Sequence, residues 1–142
     1  MEEEDVANLL NALDNEDNES LLELNPAKIK QQKNDILQRM QFKGQDLKKY
    51  HQKLKNYRYV DEVKDLKYGA FIRWFKITDP NNISLVNGAI LCDIKIQNDG
   101  IHLVFKNFMN RFIQIRMDEC ILFQKISDQE AIILSVLGYL NN

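Results

Sequence analysis

Two histidines and two cysteines are the residues of this sequence with the most reactive side chains. They are His51, His102, Cys92 and Cys120. A cysteine nucleophile needs a base and an orienting group nearby, and nothing in the local sequence places either group beside these thiols. We therefore expect His51 and His102 to lie at the surface, and Cys92 to be a small core residue that shares a strand face with Ile90, Ile94 and Ile96.

Sequence motifs for cofactor or metal chemistry are absent from this chain. It contains no GxGxxG, Walker, HExxH or GxSxG pattern. Two cysteines are too few for a disulfide scaffold or a structural zinc site, and the carboxylates near the predicted turns are typical of turn chemistry. We predict no catalytic, cofactor-binding or metal-binding residues, and a protein that is not an enzyme.

The composition of the chain is typical of a globular protein. Of its 142 residues, 44% are hydrophobic and 28% are charged, which indicates about one domain with appendages. No apolar run reaches the roughly 18 residues of a membrane span, and the start, Met1-Glu2-Glu3-Glu4-Asp5, is acidic where a signal peptide is basic. We expect an intracellular protein, cytoplasmic or nuclear, with no membrane contact.

Charge divides the chain into three zones although the net charge is only −2. Residues 1–24 hold nine acidic residues and no Lys or Arg, while residues 25–58 hold ten basic residues against two acidic ones. Blocks of like charge mark tails, interaction surfaces or solvated faces. We expect residues 1–24 to form an acidic, largely disordered arm that can screen the basic block.

The basic block 25–58 has the pattern of a long amphipathic helix. Asn25-Pro26 is a helix start, and a heptad pattern of apolar and aromatic residues resembles a coiled coil. Gly44 lowers the stability of such a helix by about 1 kcal/mol relative to alanine at the same position. The seam predicts self-association, with packing on the chain's own domain as the alternative; its residues are Ile29, Ile36, Met40, Leu47, Tyr50, Leu54 and Tyr57.

The same helix offers a surface for nucleic acid. Basic side chains neutralise phosphates, and aromatic side chains stack on bases. The residues predicted to contact a polyanion are Lys48, Lys49, Lys53, Lys55 and Arg58. The sequence pI of about 5.7 is against this interpretation.

Residues 59–142 predict a small antiparallel barrel. Alternating apolar and polar residues interrupted by turn pairs such as Asn87-Gly88 indicate five strands. They span about 70–77, 89–97, 101–106, 112–117 and 120–123. A closed SH3-like or OB-like barrel protects the edges of such short strands, and the two topologies stay open.

One of these strands, residues 70–77, carries the only tryptophan. Placing Phe71, Phe75 and Ile77 inward buries three large apolar side chains, whereas the opposite face buries only Ile72 and Trp74. This arrangement leaves Trp74 and Lys76 on the outer face. There they lie under a docked helix or form a partner surface.

The chain ends in a helix that begins at the capping box Ser127-Asp128-Gln129-Glu130. The predicted fold class is therefore α+β. It has an acidic arm (1–24), a long coiled-coil-like helix (25–58), and a five-stranded SH3-like or OB-like barrel with a capping C-terminal helix (59–142).

Three short runs carry a resemblance to a group of known proteins. They are residues 66–75 (LKYGAFIRWF), Asn87-Gly88-Ala89 and residues 120–125 (CILFQK). Together they resemble small uncharacterised proteins of nucleocytoplasmic large DNA viruses. The resemblance implies a component of a virion or virus factory, and it transfers no site residues.

These patterns favour a non-enzymatic module for protein interaction or assembly. We expect it to self-associate through the 25–58 helix or to bind a partner protein there. The alternative is a nucleic-acid-binding protein that uses the basic helix and the barrel surface.

Overall fold

A computed structural model describes residues 6–8, 10–11 and 24–140 of the chain. Contacts divide the chain into two compact units, Met1–Gln52 with Ile126–Asn142, and Lys53–Lys125. The predicted acidic arm lies largely outside the described residues. Within the arm, residues 6–8 and 10–11 are described, and they are helical. In the described part of the chain, no helix is long and apolar enough to cross a membrane.

The first unit is helical. Helix α1 spans Pro26–Arg39, α2 spans Gln45–Lys53 and α3 spans Asp128–Leu140. Both predicted helix starts are confirmed, because Asn25 Oδ1 accepts from the Lys28 amide at 2.9 Å and Ser127 Oγ accepts from the Glu130 amide at 3.2 Å. Helices α1 and α3 share a small core built on Ile29, Ile133 and Leu134.

The single long helix predicted over 25–58 is wrong. Helix α1 ends at Arg39, and two residues of the following segment have positive φ, Gln41 at 65° and Gly44 at 58°. A left-handed residue cannot continue a right-handed helix, and glycine takes that conformation readily. The chain therefore restarts as α2 and leaves helix before Tyr57.

The second unit is a six-stranded antiparallel sheet in the order β1-β6-β2-β3-β4-β5. Its strands are β1 Tyr57–Val60, β2 Phe71–Lys76, β3 Ala89–Gln97, β4 Gly100–Lys106, β5 Phe112–Arg116 and β6 Cys120–Lys125. Short 3₁₀ turns at Val63–Asp65 and Met117–Glu119 follow β1 and β5.

The predicted five-stranded closed barrel is also wrong. All five predicted strands are present as β2 to β6, but Tyr57–Val60 forms an additional strand that pairs with β6. The terminal strands of the sheet are then β1 and β5, which do not pair with each other within the described residues. An open groove of about 440 Å³ lies beside β1 and is lined in part by Tyr59 and Val60 of β1, Ile101 of β4 and Met117 after β5.

One face of the sheet forms the main core. The core includes Val60 of β1, Trp74 of β2, Leu91 of β3, Phe105 of β4 and Leu122 of β6. The Trp74 and Phe105 rings stack at 4.6 Å between centroids. Trp74 is only 4% exposed, so the prediction that it lies on an outer face is wrong.

Two local assumptions explain the errors in side-chain orientation. On β2, the prediction assumed one solvated face, but this inner strand buries Phe75 on the face opposite Trp74 and Ile72. On β3, the register shifts between Leu91 and Asp93, so that Cys92 occupies a bulge and is exposed. A bulge moves the residues after it to the other face of a strand.

Candidate interaction surface

The turn between β4 and β5 is stabilised by the side chain and the main chain of Asn107. Asn107 Oδ1 accepts hydrogen bonds from the amides of Met109 at 2.9 Å and Arg111 at 3.0 Å. The Asn107 amide donates to the Arg111 carbonyl at 2.9 Å, and Asn110 adopts φ 60°. Asparagine favours such turns because its short side chain bonds to its own backbone. We call residues 106–112 the hairpin tip.

The hairpin tip exposes large apolar side chains. Phe108 is 86% exposed, Met109 56% and Phe112 69%. Lys106 Nζ lies 5.9 Å from the centre of the Phe112 ring, and Ile90, 47% exposed, pairs with Lys106 from β3. Ile90 of β3, Lys106 of β4 and Phe112 of β5 therefore lie side by side next to the tip, with the lysine between the two apolar side chains.

Beside the tip, β5 is an outer strand, and no strand among residues 24–140 pairs with its outer edge. Hydrogen-bonded and non-hydrogen-bonded pairs alternate along an antiparallel ladder, and Asn107 with Arg111 is a hydrogen-bonded pair. Counting along the register from Lys106–Phe112 to His102–Arg116 places the N–H and C=O groups of Phe112, Gln114 and Arg116 on the side away from β4. These groups can pair with a further strand.

Polar contacts order the other end of this surface. His102 Nε2 lies 2.8 Å from Asp99 Oδ1, and Gln114 Nε2 lies 3.1 Å from His102 Nδ1. Because the glutamine amide is a donor, Nδ1 accepts, and Nε2 carries the proton that it donates to Asp99. This hydrogen bond from His102 lowers the pKa of Asp99 from its ordinary value.

Arg116, which pairs with His102 in the strand register, forms ion pairs at the end of β5. Arg116 Nη2 donates to Asp118 Oδ2 at 2.8 Å, and Nη1 lies 3.9 Å from Glu119 Oε1. The hydrogen bond to Asp118 raises the pKa of Arg116. The cation at the end of the strand is thus paired with the two carboxylates that follow it in the 3₁₀ turn.

A groove of about 310 Å³ next to these residues contains the remaining reactive groups. Its lining includes Lys76, His102, Arg116, Glu119 and Cys120. Burial, together with Glu119, raises the pKa of the Cys120 thiol to about 11, so the thiol stays protonated at neutral pH. Both ring nitrogens of His102 are already engaged, so neither residue is prepared to act as nucleophile or base.

Metal ligands are not clustered in this region. Among the described residues, no group of three or more His, Cys, Asp or Glu side chains is placed to hold a metal ion. The arrangement at this surface is suited to binding through apolar contacts, main-chain hydrogen bonds and charge.

The predicted seam residues do not lie along one helix. Ile29 and Ile36 belong to α1, Leu47 and Tyr50 to α2, and Tyr57 to β1. Met40 lies in the break after α1, and Leu54 follows α2 and is fully buried. Ile29 and Tyr50 are also buried within the single chain, and self-association through these residues stays a prediction.

Among the residues predicted to contact a polyanion, Arg58 is buried and the prediction for it is wrong. It is 3% exposed, and its guanidinium donates to the Asp65 carbonyl at 3.3 Å, because alternate residues of β1 point into the core. Lys48, Lys49, Lys53 and Lys55 are exposed.

The two residues of the predicted partner surface lie in different environments. Trp74 is buried in the core, whereas Lys76 is exposed at the end of β2 and lines the groove with His102 and Cys120.

Sequence reasoning missed the hairpin tip. The predicted strands 101–106 and 112–117 leave residues 107–111 as their connection, but the exposure of Phe108 and Met109 was not predicted. The available signal was the apolar pair Phe108-Met109 between two turn-forming asparagines, where polar residues are usual.

Comparison of this chain with family models, curated proteins and solved structures finds no match. The resemblance to proteins of large DNA viruses therefore stays a prediction.

Proposed function

We propose that this protein is a non-enzymatic interaction and assembly module that binds a protein segment at the hairpin tip and along β5. The observation that carries the proposal is the exposure of Phe108, Met109 and Phe112 on a turn that the Asn107 side chain holds in place. Contiguous exposed apolar residues on a folded domain are typical of interaction sites.

The order of the turn is part of the support. Aromatic residues dominate binding hot spots, and a binding loop that is already ordered loses less conformational entropy on association. Asn107 provides this order through two side-chain hydrogen bonds to the backbone. Phe108 and Met109 are then the expected anchors.

The free edge of β5 indicates the shape of the partner segment. An extended peptide adds to a sheet edge through main-chain hydrogen bonds, and its alternate side chains provide specificity. Residues 106–112 contain Lys106 and Arg111 and no acidic residue. We therefore expect an extended partner segment with apolar residues next to carboxylates.

The test is selection of a displayed library of ten-residue peptides on the wild-type protein, followed by affinity measurement by fluorescence polarisation. Phe108→Ala and Met109→Ala should each weaken the selected peptides about tenfold, as hot-spot truncations do. The matched control is Ile96→Ala, which removes an 81% exposed side chain at the far end of β3 and should leave affinity unchanged. Failure to select any peptide, or equal affinity of the Phe108→Ala variant, would contradict the proposal.

Nucleic-acid binding is the second candidate. It is favoured by the combination of exposed Phe108 and Phe112 with Lys106 and Arg111, since bases stack on aromatic rings while cations contact phosphates. Binding of labelled oligo(dT) and of a duplex at about 0.05 and 0.2 M salt tests it, because phosphate contacts weaken steeply with salt. Loss of oligo(dT) binding in Phe108→Ala would favour this candidate; absence of binding at the lower salt would eliminate it.

The proposal places the protein inside the cell. Cys92 and Cys120 are both free thiols, which suits a reducing compartment. Assembly in a virion or virus factory is the setting that the sequence resemblance implies.

A further inference from the structure

Strand β5 has a sequence that is nearly symmetric about its centre. It reads Phe112-Ile113-Gln114-Ile115-Arg116. If a second β5 pairs with it antiparallel about Gln114, each Ile113 lies opposite an Ile115 and each Phe112 opposite an Arg116. Every apolar residue then has a suitable partner, and no two like charges are opposed.

We propose that two copies of this chain pair through β5, antiparallel and centred on Gln114, so that their sheets join into one continuous sheet. The inference rests on the proposed function and names a second copy as the partner. The outward main-chain groups of Phe112, Gln114 and Arg116 are the ones that this register uses, since Ile113 and Ile115 bond to β4.

The outer face of the pair brings a cation to an aromatic ring. Arg116 of one copy lies opposite Phe112 of the other, at cross-strand spacing. Its guanidinium can pack on the ring face while Nη2 keeps its hydrogen bond to Asp118 of the same copy. A cation already approaches this ring within one copy, because Lys106 Nζ lies 5.9 Å from its centre. Phe112, now 69% exposed, becomes covered between the two strands.

Charge complementarity extends beyond the strands. In the same register, Arg111 of one copy falls next to Met117 and Asp118 of the other. The basic hairpin tip thus comes near Asp118 and Glu119, whose carboxylates lie 2.8 and 3.9 Å from the Arg116 guanidinium of their own copy. The Asp118 side chain is 63% exposed, so it can contact a second cation. The two-fold symmetry repeats this contact, so each copy supplies both halves.

The size of the contact indicates a weak dimer. One five-residue strand pair with the adjoining tip is smaller than the roughly 800 Å² per partner of a standard stable interface. We therefore expect dissociation constants on the order of 10 to 100 μM, in the range of transient complexes.

Disulfide trapping tests the register directly. Gln114→Cys in a Cys92→Ser background places two thiols across the two-fold axis, within the Cα separation that a disulfide spans. A disulfide-linked dimer should form under mild oxidation. Phe112→Cys alone should not form one, because its symmetry mate is about 13 Å away along the strands, whereas a mixture of Phe112→Cys and Arg116→Cys should.

Two outcomes of this experiment overturn the proposed pairing. One is the absence of a cross-linked dimer of Gln114→Cys at about 100 μM protein, where the expected affinity populates the dimer. The other is cross-linking of Phe112→Cys as efficient as that of Gln114→Cys, which would indicate random collision.

Sedimentation analysis provides the second measurement, on chains without added cysteines. Gln114→Lys opposes two like charges at the axis and should raise the dimer dissociation constant about fivefold or more. Gln97→Lys makes the same charge change on the exposed end of β3 and should have no effect. Gln114→Ala serves as the control for loss of the hydrogen bond to His102.

The two proposals fail separately. A wild-type chain that remains monomeric at 1 mM (about tenfold above the weakest expected constant), but still binds selected peptides in a Phe108-dependent way, would reject the pairing and leave the interaction function intact. A monomeric chain that selects no peptide would reject both.

Discussion

The two outer strands of the sheet, β1 and β5, differ in the side chains that they place at an unpaired edge. An outer strand presents unpaired main-chain groups that attract other strands. Strand β1 has four residues and directs the charged Arg58 inward, where it donates to the Asp65 carbonyl. Strand β5 has five residues, with Ile113 and Ile115 toward the core and Phe112 exposed at its start.

Two glutamines near these outer strands differ in the same way. Gln124 on β6, next to β1, is completely buried; its Oε1 accepts from the Lys67 amide at 2.9 Å and its Nε2 donates to the Asp65 carbonyl at 3.0 Å. Gln114 on β5 is exposed and bonds to His102. An inward charge and short length are known protections of sheet edges. The difference agrees with the proposal above, in which β5 and not β1 is the edge that pairs with a partner.

The largest expected effect comes from replacing the buried glutamine. Gln124→Leu leaves the Lys67 amide without its acceptor inside the protein, and should lower the free energy of unfolding by about 2–3 kcal/mol. Urea unfolding followed by the fluorescence of Trp74 measures this, because Trp74 lies in the core of the same unit. The matched change Gln114→Leu should cost less than about 0.5 kcal/mol; equal losses would mean that the two sides of the sheet do not differ in this way.

An intermediate effect is expected at the hairpin tip. Asn107→Ala removes two side-chain hydrogen bonds to the backbone and should lower the free energy of unfolding by about 1–2 kcal/mol. It should also weaken the selected peptides, because Phe108 and Met109 lose their fixed positions. Asn107→Asp keeps the accepting oxygen and is the control; a peptide affinity unchanged in Asn107→Ala would show that the order of the turn does not matter for binding.

The smallest effect concerns pH and the Asp99–His102 pair. The pKa of folded Asp99 lies below its ordinary value of 3.8, so the pair stabilises the folded state above that pH. This stabilisation is lost as the pH falls from about 3.8 through the lowered pKa. Between pH 6 and pH 3 the wild type should therefore lose slightly more stability than Asp99→Asn, as measured by urea unfolding.

The control for this pH dependence is the His102→Ala background. There the difference between the chain that keeps Asp99 and the one that carries Asp99→Asn should become smaller, because the hydrogen bond from His102 is the largest cause of the lowered pKa. A difference of unchanged size without His102 would assign the pH dependence to another group.

Local sequence signals predicted those elements whose stabilising contacts are local. The cap at Asn25, the capping box at Ser127 and all five predicted strands were correct in kind and position, because caps, turns and alternation act over a few residues. The strand Tyr57–Val60 was missed because Tyr57 also fits the heptad pattern of the preceding helix, which was predicted to reach residue 58. Its pairing with β6 joins residues more than sixty positions apart.

What the sequence determined by itself was therefore five of the six strands, the starts of two helices, the positions of most turns and the division of charge along the chain. Only the tertiary structure decided that the sheet stays open, that Trp74 and Arg58 point inward, that a bulge exposes Cys92, and that Phe108 and Met109 stand in solvent. The physical reason is that burial depends on what covers a face or pairs with an edge. Those neighbours come from distant parts of the chain, so no local pattern contains them.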